Sequence, residues 1–222
     1  PYRIEEMIGE GGMGRVYRGR RNDGAFEAEV AIKRVRAELV ADALVQRFAS
    51  ERSILAAIEH PGIARLLDAG SWQGVPYLVL EYVRGRSLLD HLEAEAPGSA
   101  ARLELLARLG DAVEHAHGRL IVHRDLKPSN VRVREDGHPV LLDLGIAKLL
   151  SSPDAGELKK TAERAFTPRW SAPEQRDGGF VGPAADVYAL GLLAERILIG
   201  SRPEHARLTP QRGDGDLRFV LA

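Results

Sequence analysis

The sequence predicts an α+β fold built as two lobes, and three observations predict it. The first 80 residues alternate apolar and polar positions between glycine turns, which is a strand pattern. From residue 87 onward the apolar residues recur at helical spacing. No strand–helix–strand repeat links the two halves, so the pattern is α+β and a cleft is expected where they meet. The expected boundaries are a strand-rich lobe over 1–80, a connecting hinge over 81–86 and a helical lobe over 87–222.

Taken in order, YRIEEMIG, RVYRG and EVAIKRV read as antiparallel strands. DALVQRFASERSILAAI has helical spacing with Asp42 near its start, and His60-Pro61-Gly62 ends it, because proline disfavours helix at the residue before it. IARLLDAG and VPYLVLEYV read as two further strands. Beyond the hinge, LLDHLEAEA is a short helix, broken by APGS, and ARLELLARLGDAVEHAHGRL is a long one with a buried leucine and alanine face. VHRDLKPSN is a polar loop ahead of two short strands, VRV and PVLLD, joined by the turn at Glu135-Asp136-Gly137. Residues 148–171 are polar and irregular, AADVYALGLLAERILIG is a strongly apolar helix, and GDLRFVLA reads as a helix cut short.

Composition narrows the function classes. The 222 residues are 44% hydrophobic and 28% charged, as in a folded globular chain and unlike a disordered one. A net charge of −1 gives no global attraction to nucleic acid or to an anionic membrane. There is no cysteine, so disulfides and thiolate metal sites are excluded. No run of about 18 apolar residues is present, so no membrane segment is expected within this chain. The first residues read as no secretory leader. A cytoplasmic location is the expectation, with an anchor outside residues 1–222 left open.

Four stretches carry chemistry. IGEGGMGRVY contains G-x-G-x-x-G at Gly9, Gly11 and Gly14. A hairpin turn and a dinucleotide-binding turn are both open readings of that pattern alone. The strand-like RVYRG that follows favours a glycine flap whose backbone N–H groups approach phosphate oxygens. Lys33 lies in the apolar strand EVAIKRV on the same face as Ala31, and Glu51 on the next helix is a candidate carboxylate partner. HRDLKPSN supplies a candidate base, Asp125, with Lys127 and Asn130 after it, and LLDLG supplies Asp143 at a strand end. Phosphoryl transfer to a hydroxyl needs a carboxylate near the nucleophile and oxygen ligands for Mg²⁺.

In this order and spacing the chain resembles eukaryotic-type protein kinases, most of all their bacterial Ser/Thr branch. GEGGMGRVY, VAIK, SERSIL, HPGIARLLDAG, VLEYVRGRSL, HRDLKPSN, LDLGIAK, SAPEQ and DVYALG carry the resemblance from Tyr2 to about Gly200. It implies a two-lobed kinase fold, ATP and Mg²⁺ as cofactors, and protein substrates phosphorylated on Ser or Thr. It implies that Gly9, Gly11 and Gly14 cover the phosphates and that Lys33, paired with Glu51, holds them. It assigns Asp125 to the substrate hydroxyl, Lys127 to the Ser/Thr-kinase signature, and Asn130 and Asp143 to Mg²⁺. Leu80 becomes the gatekeeper, Glu81 to Val83 the hinge whose backbone binds adenine, and Val16 and Ala31 the roof of the adenine site. Asp186 becomes the anchor of the catalytic loop. Thr161 aligns with an activation-loop phosphorylation site whose phosphate Arg124 would pair with; Ser151 and Ser152 are weaker candidates, and Thr167 matches a substrate-facing threonine.

The pattern departs from the family at four places. Leu144 replaces the usual Phe after the metal-binding Asp. Phe166 replaces the Gly before Thr167. The helical lobe ends early, without the Arg that pairs with the equivalent of Glu174. Arg132 stands where an apolar residue forms the floor of the adenine pocket. An arginine there either stacks on the base, blocks it, or bends out and leaves the floor to Val131 or Val133. The rival to an active enzyme is therefore a pseudokinase-like binding module with weak or no ATP binding because of Arg132.

Overall fold

The computed structural model describes residues 1–12, 14–22, 27–36, 58–144 and 169–199. The helix expected over DALVQRFASERSILAAI, apart from its last residue Ile58, most of the irregular segment before Glu174 and the tail after Ile199 lie outside the described residues.

The strand-rich lobe is one antiparallel sheet. Its strands are β1 (Tyr2–Gly11), β2 (Gly14–Arg21), β3 (Glu29–Val35), β4 (Leu66–Trp72) and β5 (Val75–Glu81), in the order β1-β2-β3-β5-β4. Alternation decides the faces: Val30, Ile32 and Val79 are buried on one side beneath Tyr2, Tyr17 and Tyr77. The glycines close the β1–β2 hairpin, with Gly11 opposite Gly14. At Gly14 the chain passes so close to β3 that a Cβ would sit 2.1 Å from the Arg34 carbonyl oxygen, at φ +155°. Only glycine fits there. The two outermost strands are joined by a side chain: the Tyr2 hydroxyl donates to Asp68 Oδ2 at 2.9 Å.

The helical lobe begins with a short strand, β6 (Arg86–Ser87), which periodicity alone does not reveal. Then come α1 (Leu88–Glu95) and α2 (Ser99–His117), a 3₁₀ turn at Pro128–Asn130, β7 (Val131–Val133) and β8 (Pro139–Leu141). A four-residue helix, α3 (Pro173–Arg176), precedes the long α4 (Pro183–Ile199). Ser87 starts α1 by accepting from the Asp90 N–H at 3.2 Å, and Ala96 ends it in a left-handed turn at φ +41°. Leu105, Leu109, Ala112, Val113 and Ala116 line the buried stripe of α2. They share one core with Ala189, Leu193 and Ile197 of α4 and with Val131, Val133 and Leu141 of the hairpin.

The segment expected to form a strand from Ile63 starts its strand only at Leu66. Its first residues are committed elsewhere: Ala64 N–H donates to the Leu141 carbonyl at 2.9 Å, and Leu141 N–H to the Gly62 carbonyl at 2.8 Å. This pairing fastens the root of β4 to the β7–β8 hairpin, behind the cleft. The two-lobed arrangement read from the sequence is therefore the arrangement of the protein. No described helix is long and apolar enough to cross a membrane.

The Tyr2–Asp68 bond gives a measurable consequence. Burial and the hydrogen bond to Asp68 raise the Tyr2 phenol from its ordinary 10.0 to about 12. A raised folded-state value means that this stabilisation is complete below pH 10 and disappears as the pH climbs towards 12. Tyr2→Phe should lose about 0.5–1.5 kcal/mol in urea unfolding at neutral pH. The gap from wild type should narrow between pH 10 and 12.

Candidate active site

Between the lobes lies a cavity of about 350 Å³, within the range of small-molecule sites. Gly9, Gly11, Gly14 and Val16 of the β1–β2 hairpin line its upper side, with Ala31 and Lys33 of β3. Leu80, Glu81 and Val83 line its back. Asp125, Lys127, Asn130, Arg132 and Asp143 enter from the helical lobe. Residues from Ile8 to Asp143, 135 positions apart in the sequence, thus share one cleft. Ala64, Ser129 and Leu142 also line it. Ala64 and Leu142 carried no sequence signal, being single apolar residues whose role depends on the long-range pairing of their segments. Glu51, Thr161, Phe166 and Thr167 lie outside the described residues.

The loop that presents Asp125 is held by a buried carboxylate. Asp186, on the first turn of α4 and 1% exposed, accepts from the backbone N–H of His123 at 2.7 Å and of Arg124 at 2.8 Å. His117 Nε2 reaches Asp186 Oδ2 at 2.9 Å. Both carboxylate oxygens are thus used to hold a sharp turn in which Arg124 takes φ +68°, a conformation that a side chain adopts only when its surroundings fix it. Gln175 reinforces the turn by donating to the Arg124 carbonyl at 2.7 Å. Buried His123 contacts the Leu142 carbonyl through Nε2 at 3.0 Å. A carbonyl can only accept, so Nε2 carries the proton and Nδ1 faces the Asp125 N–H at 3.4 Å.

Within that loop the polar side chains are clustered. Lys127 Nζ lies 2.7 Å from Asp125 Oδ2. Asn130 Nδ2 donates to the Asp125 carbonyl at 2.8 Å and to its Oδ2 at 3.0 Å. The amide nitrogen is occupied in this way, so the oxygen Oδ1 is the end that Asn130 can offer a cation. Leu142 N–H bonds the Asn130 carbonyl at 2.8 Å, which sets the strand end carrying Asp143 beside Asn130. Asp143 takes φ +60° and its Oδ2 lies 2.8 Å from Lys33 Nζ. Lys33 is only 6% exposed.

These donors fit the groups expected of them. Asp143 and Asn130 offer the sparse carboxylate and carbonyl oxygens that Mg²⁺ accepts, with phosphate and water left to complete its shell. A lysine ammonium and a glycine hairpin on the opposite wall fit a polyphosphate.

At the cleft floor, Arg132 sits on β7 between Val131 and Val133, which are 0% and 1% exposed in the helical-lobe core. Neither valine takes over the floor, so that option is corrected: they point to the other side of the strand. Arg132 lines the cleft, and its Nη1 donates to the Gly85 carbonyl at 3.0 Å.

Residues 2–217 match the family model described as the protein kinase domain. The chain is 38% identical over 216 residues to the serine/threonine-protein kinase PkaA of Streptomyces coelicolor, covering 91% of this chain and 39% of that protein. It is 34% identical over 204 residues to the serine/threonine-protein kinase PrkC of Bacillus subtilis, covering 91% of this chain and 31% of that protein. The chain therefore spans well under half the length of these relatives. Among solved structures it is similar to the crystal structure of a point mutant of the Mycobacterium tuberculosis PknI kinase domain. The TM-score is 0.67 at 28% identity, over 95% of this chain and 78% of that one.

The Asp186 network predicts a large stability effect at a single position. Asp186→Ala leaves two backbone N–H groups without their acceptor and should cost about 2–5 kcal/mol in urea unfolding. Asp186→Asn keeps one acceptor oxygen and should cost less.

Proposed function

The chain belongs to the protein kinase family, in its bacterial serine/threonine branch, and from that premise we propose that it transfers the γ-phosphoryl group of ATP to serine and threonine hydroxyls of proteins. The observation that carries the reading is the convergence of Asp125, Lys127, Asn130 and Asp143 opposite Lys33 and the glycine hairpin in one cleft.

Bound Mg·ATP would supply the phosphoryl group and the cation that offsets its charge. In this proposal the hairpin backbone from Gly9 to Gly14 covers the phosphates, and Lys33 holds them. Asn130 and Asp143 hold the cation. Asp125 orients the substrate hydroxyl and takes up its proton, and Lys127, already 2.7 Å from Asp125, steadies the group being transferred. The backbone between Glu81 and Val83 binds adenine beneath Val16 and Ala31, with Leu80 at the rear. Glu51 as the second partner of Lys33, and Thr161 as an autophosphorylation site read by Arg124, complete the proposal. A reaction that consumes ATP fits the cytoplasm.

Position 132 is the specific observation that favours a second reading, a binding module without transfer. The two readings separate in one assay. Wild type with Mg·ATP should place phosphate on itself or on a basic protein substrate, and chelating the Mg²⁺ should stop it. Asp125→Asn should slow transfer by about 10²–10⁴-fold while nucleotide binding persists. Equal rates in wild type and Asp125→Asn would contradict the assignment, and nucleotide binding without any transfer by the full-length protein would favour the binding module.

A further inference from the structure

Two arginines two positions apart, Arg132 and Arg134, grip the two ends of the hinge. Val131 and Val133 of β7 are buried in the helical-lobe core, so alternation sends Arg132 out on the opposite side of the strand, and Arg134 follows just beyond the strand's end. Arg132 reaches the Gly85 carbonyl at 3.0 Å. Arg134 Nη2 lies 2.8 Å from Glu81 Oε1. Glu81 closes β5 and Gly85 immediately precedes β6, so the contacts fall at opposite ends of the connector. They also come from opposite sides. Arg132 lines the interlobe cleft, whereas Arg134 lines a cavity behind the hinge with Arg65 and His60.

The hinge is pressed against β7 closely enough for this to work. At Gly85, with φ +147°, a Cβ would lie 2.2 Å from the Val133 carbonyl oxygen. From that contact the Arg132 head can satisfy the Gly85 carbonyl while its three-carbon stem stays under the cleft. Long cationic side chains commonly divide in this manner, with an apolar stem along an apolar surface and a charged head on a polar partner.

We infer that Arg132 is a positioning residue for the nucleotide: its stem forms the floor of the base site, and its head clamps the hinge together with Arg134. The inference rests on the nucleotide-binding reading above, and its test has one readout that does not depend on nucleotide. Hydrogen–deuterium exchange of the hinge amides over 82–86 is compared in nucleotide-free wild type, Arg132→Met and Arg132→Lys. Methionine keeps an apolar stem and removes the donor; lysine keeps a donor. Binding of adenosine and of ADP is titrated on the same proteins, and thermal unfolding shows that each is folded.

Arg132→Met should accelerate hinge exchange and weaken adenosine binding, each by about three- to tenfold, the size expected for one lost hydrogen bond. Arg132→Lys should fall between Arg132→Met and wild type. Arg132→Met combined with Arg134→Met should lose less than the product of the single effects, because both act on one segment. Adenosine binding that tightens or stays unchanged in Arg132→Met, with hinge exchange unaltered, overturns the clamp. Wild type that binds no adenosine overturns the kinase reading and the positioning role together, whatever the hinge exchange shows.

Discussion

A lysine ammonium buried in an apolar strand is the constraint around which this protein is arranged. Lys33 is hemmed in by β2 and β5, and its charge is met by the Asp143 carboxylate at 2.8 Å. Taking such a pair out of water costs several kcal/mol per ion, and apolar residues of the same volume would serve stability as well or better. The pair is therefore poorly explained as a staple. It makes sense as a fixed cation and a fixed anion facing each other across a cleft, one from each lobe. The rest of the architecture holds these two charges in place.

The helical lobe supplies the anion side through a chain of buried polar contacts. Asp186 fixes the backbone at His123 and Arg124, His123 fixes the Leu142 carbonyl, and Asn130 fixes both Asp125 and the strand end at Leu142. Two non-glycine residues with positive φ, Arg124 and Asp143, lie on this chain. Backbone strain of that kind persists only where surrounding bonds over-determine it. It is found here at the turns that present Asp125 and Asp143. The strand-rich lobe supplies the cation side more simply, by sheet register.

Much of this was legible in the sequence because it is local. Alternation located β1, β2, β3 and β5, helical spacing located α2 and α4, and the order of Gly9, Lys33, Asp125, Asn130 and Asp143 pointed to phosphate chemistry. The late start of β4 was not legible, since Ile63 and Ala64 are apolar and alternate properly but are claimed by Leu141, nearly 80 residues away. β6 is two residues long and is defined only by its partner β7. The Tyr2–Asp68 bond joins strands that are not neighbours in the sheet. The destination of the Arg132 head depends on how closely the hinge passes β7 at Gly85, which no periodicity encodes. In each case the missing information is a contact across the fold.

The most direct measurement is calorimetric titration of ATP, with and without Mg²⁺, into wild type and Asp143→Asn. The account predicts saturable binding at one site in wild type, strengthened by Mg²⁺. In Asp143→Asn the metal-free affinity should persist and the gain from Mg²⁺ should vanish. Absence of saturable binding at millimolar ATP, or a Mg²⁺ gain that survives the loss of the Asp143 carboxylate, would contradict it.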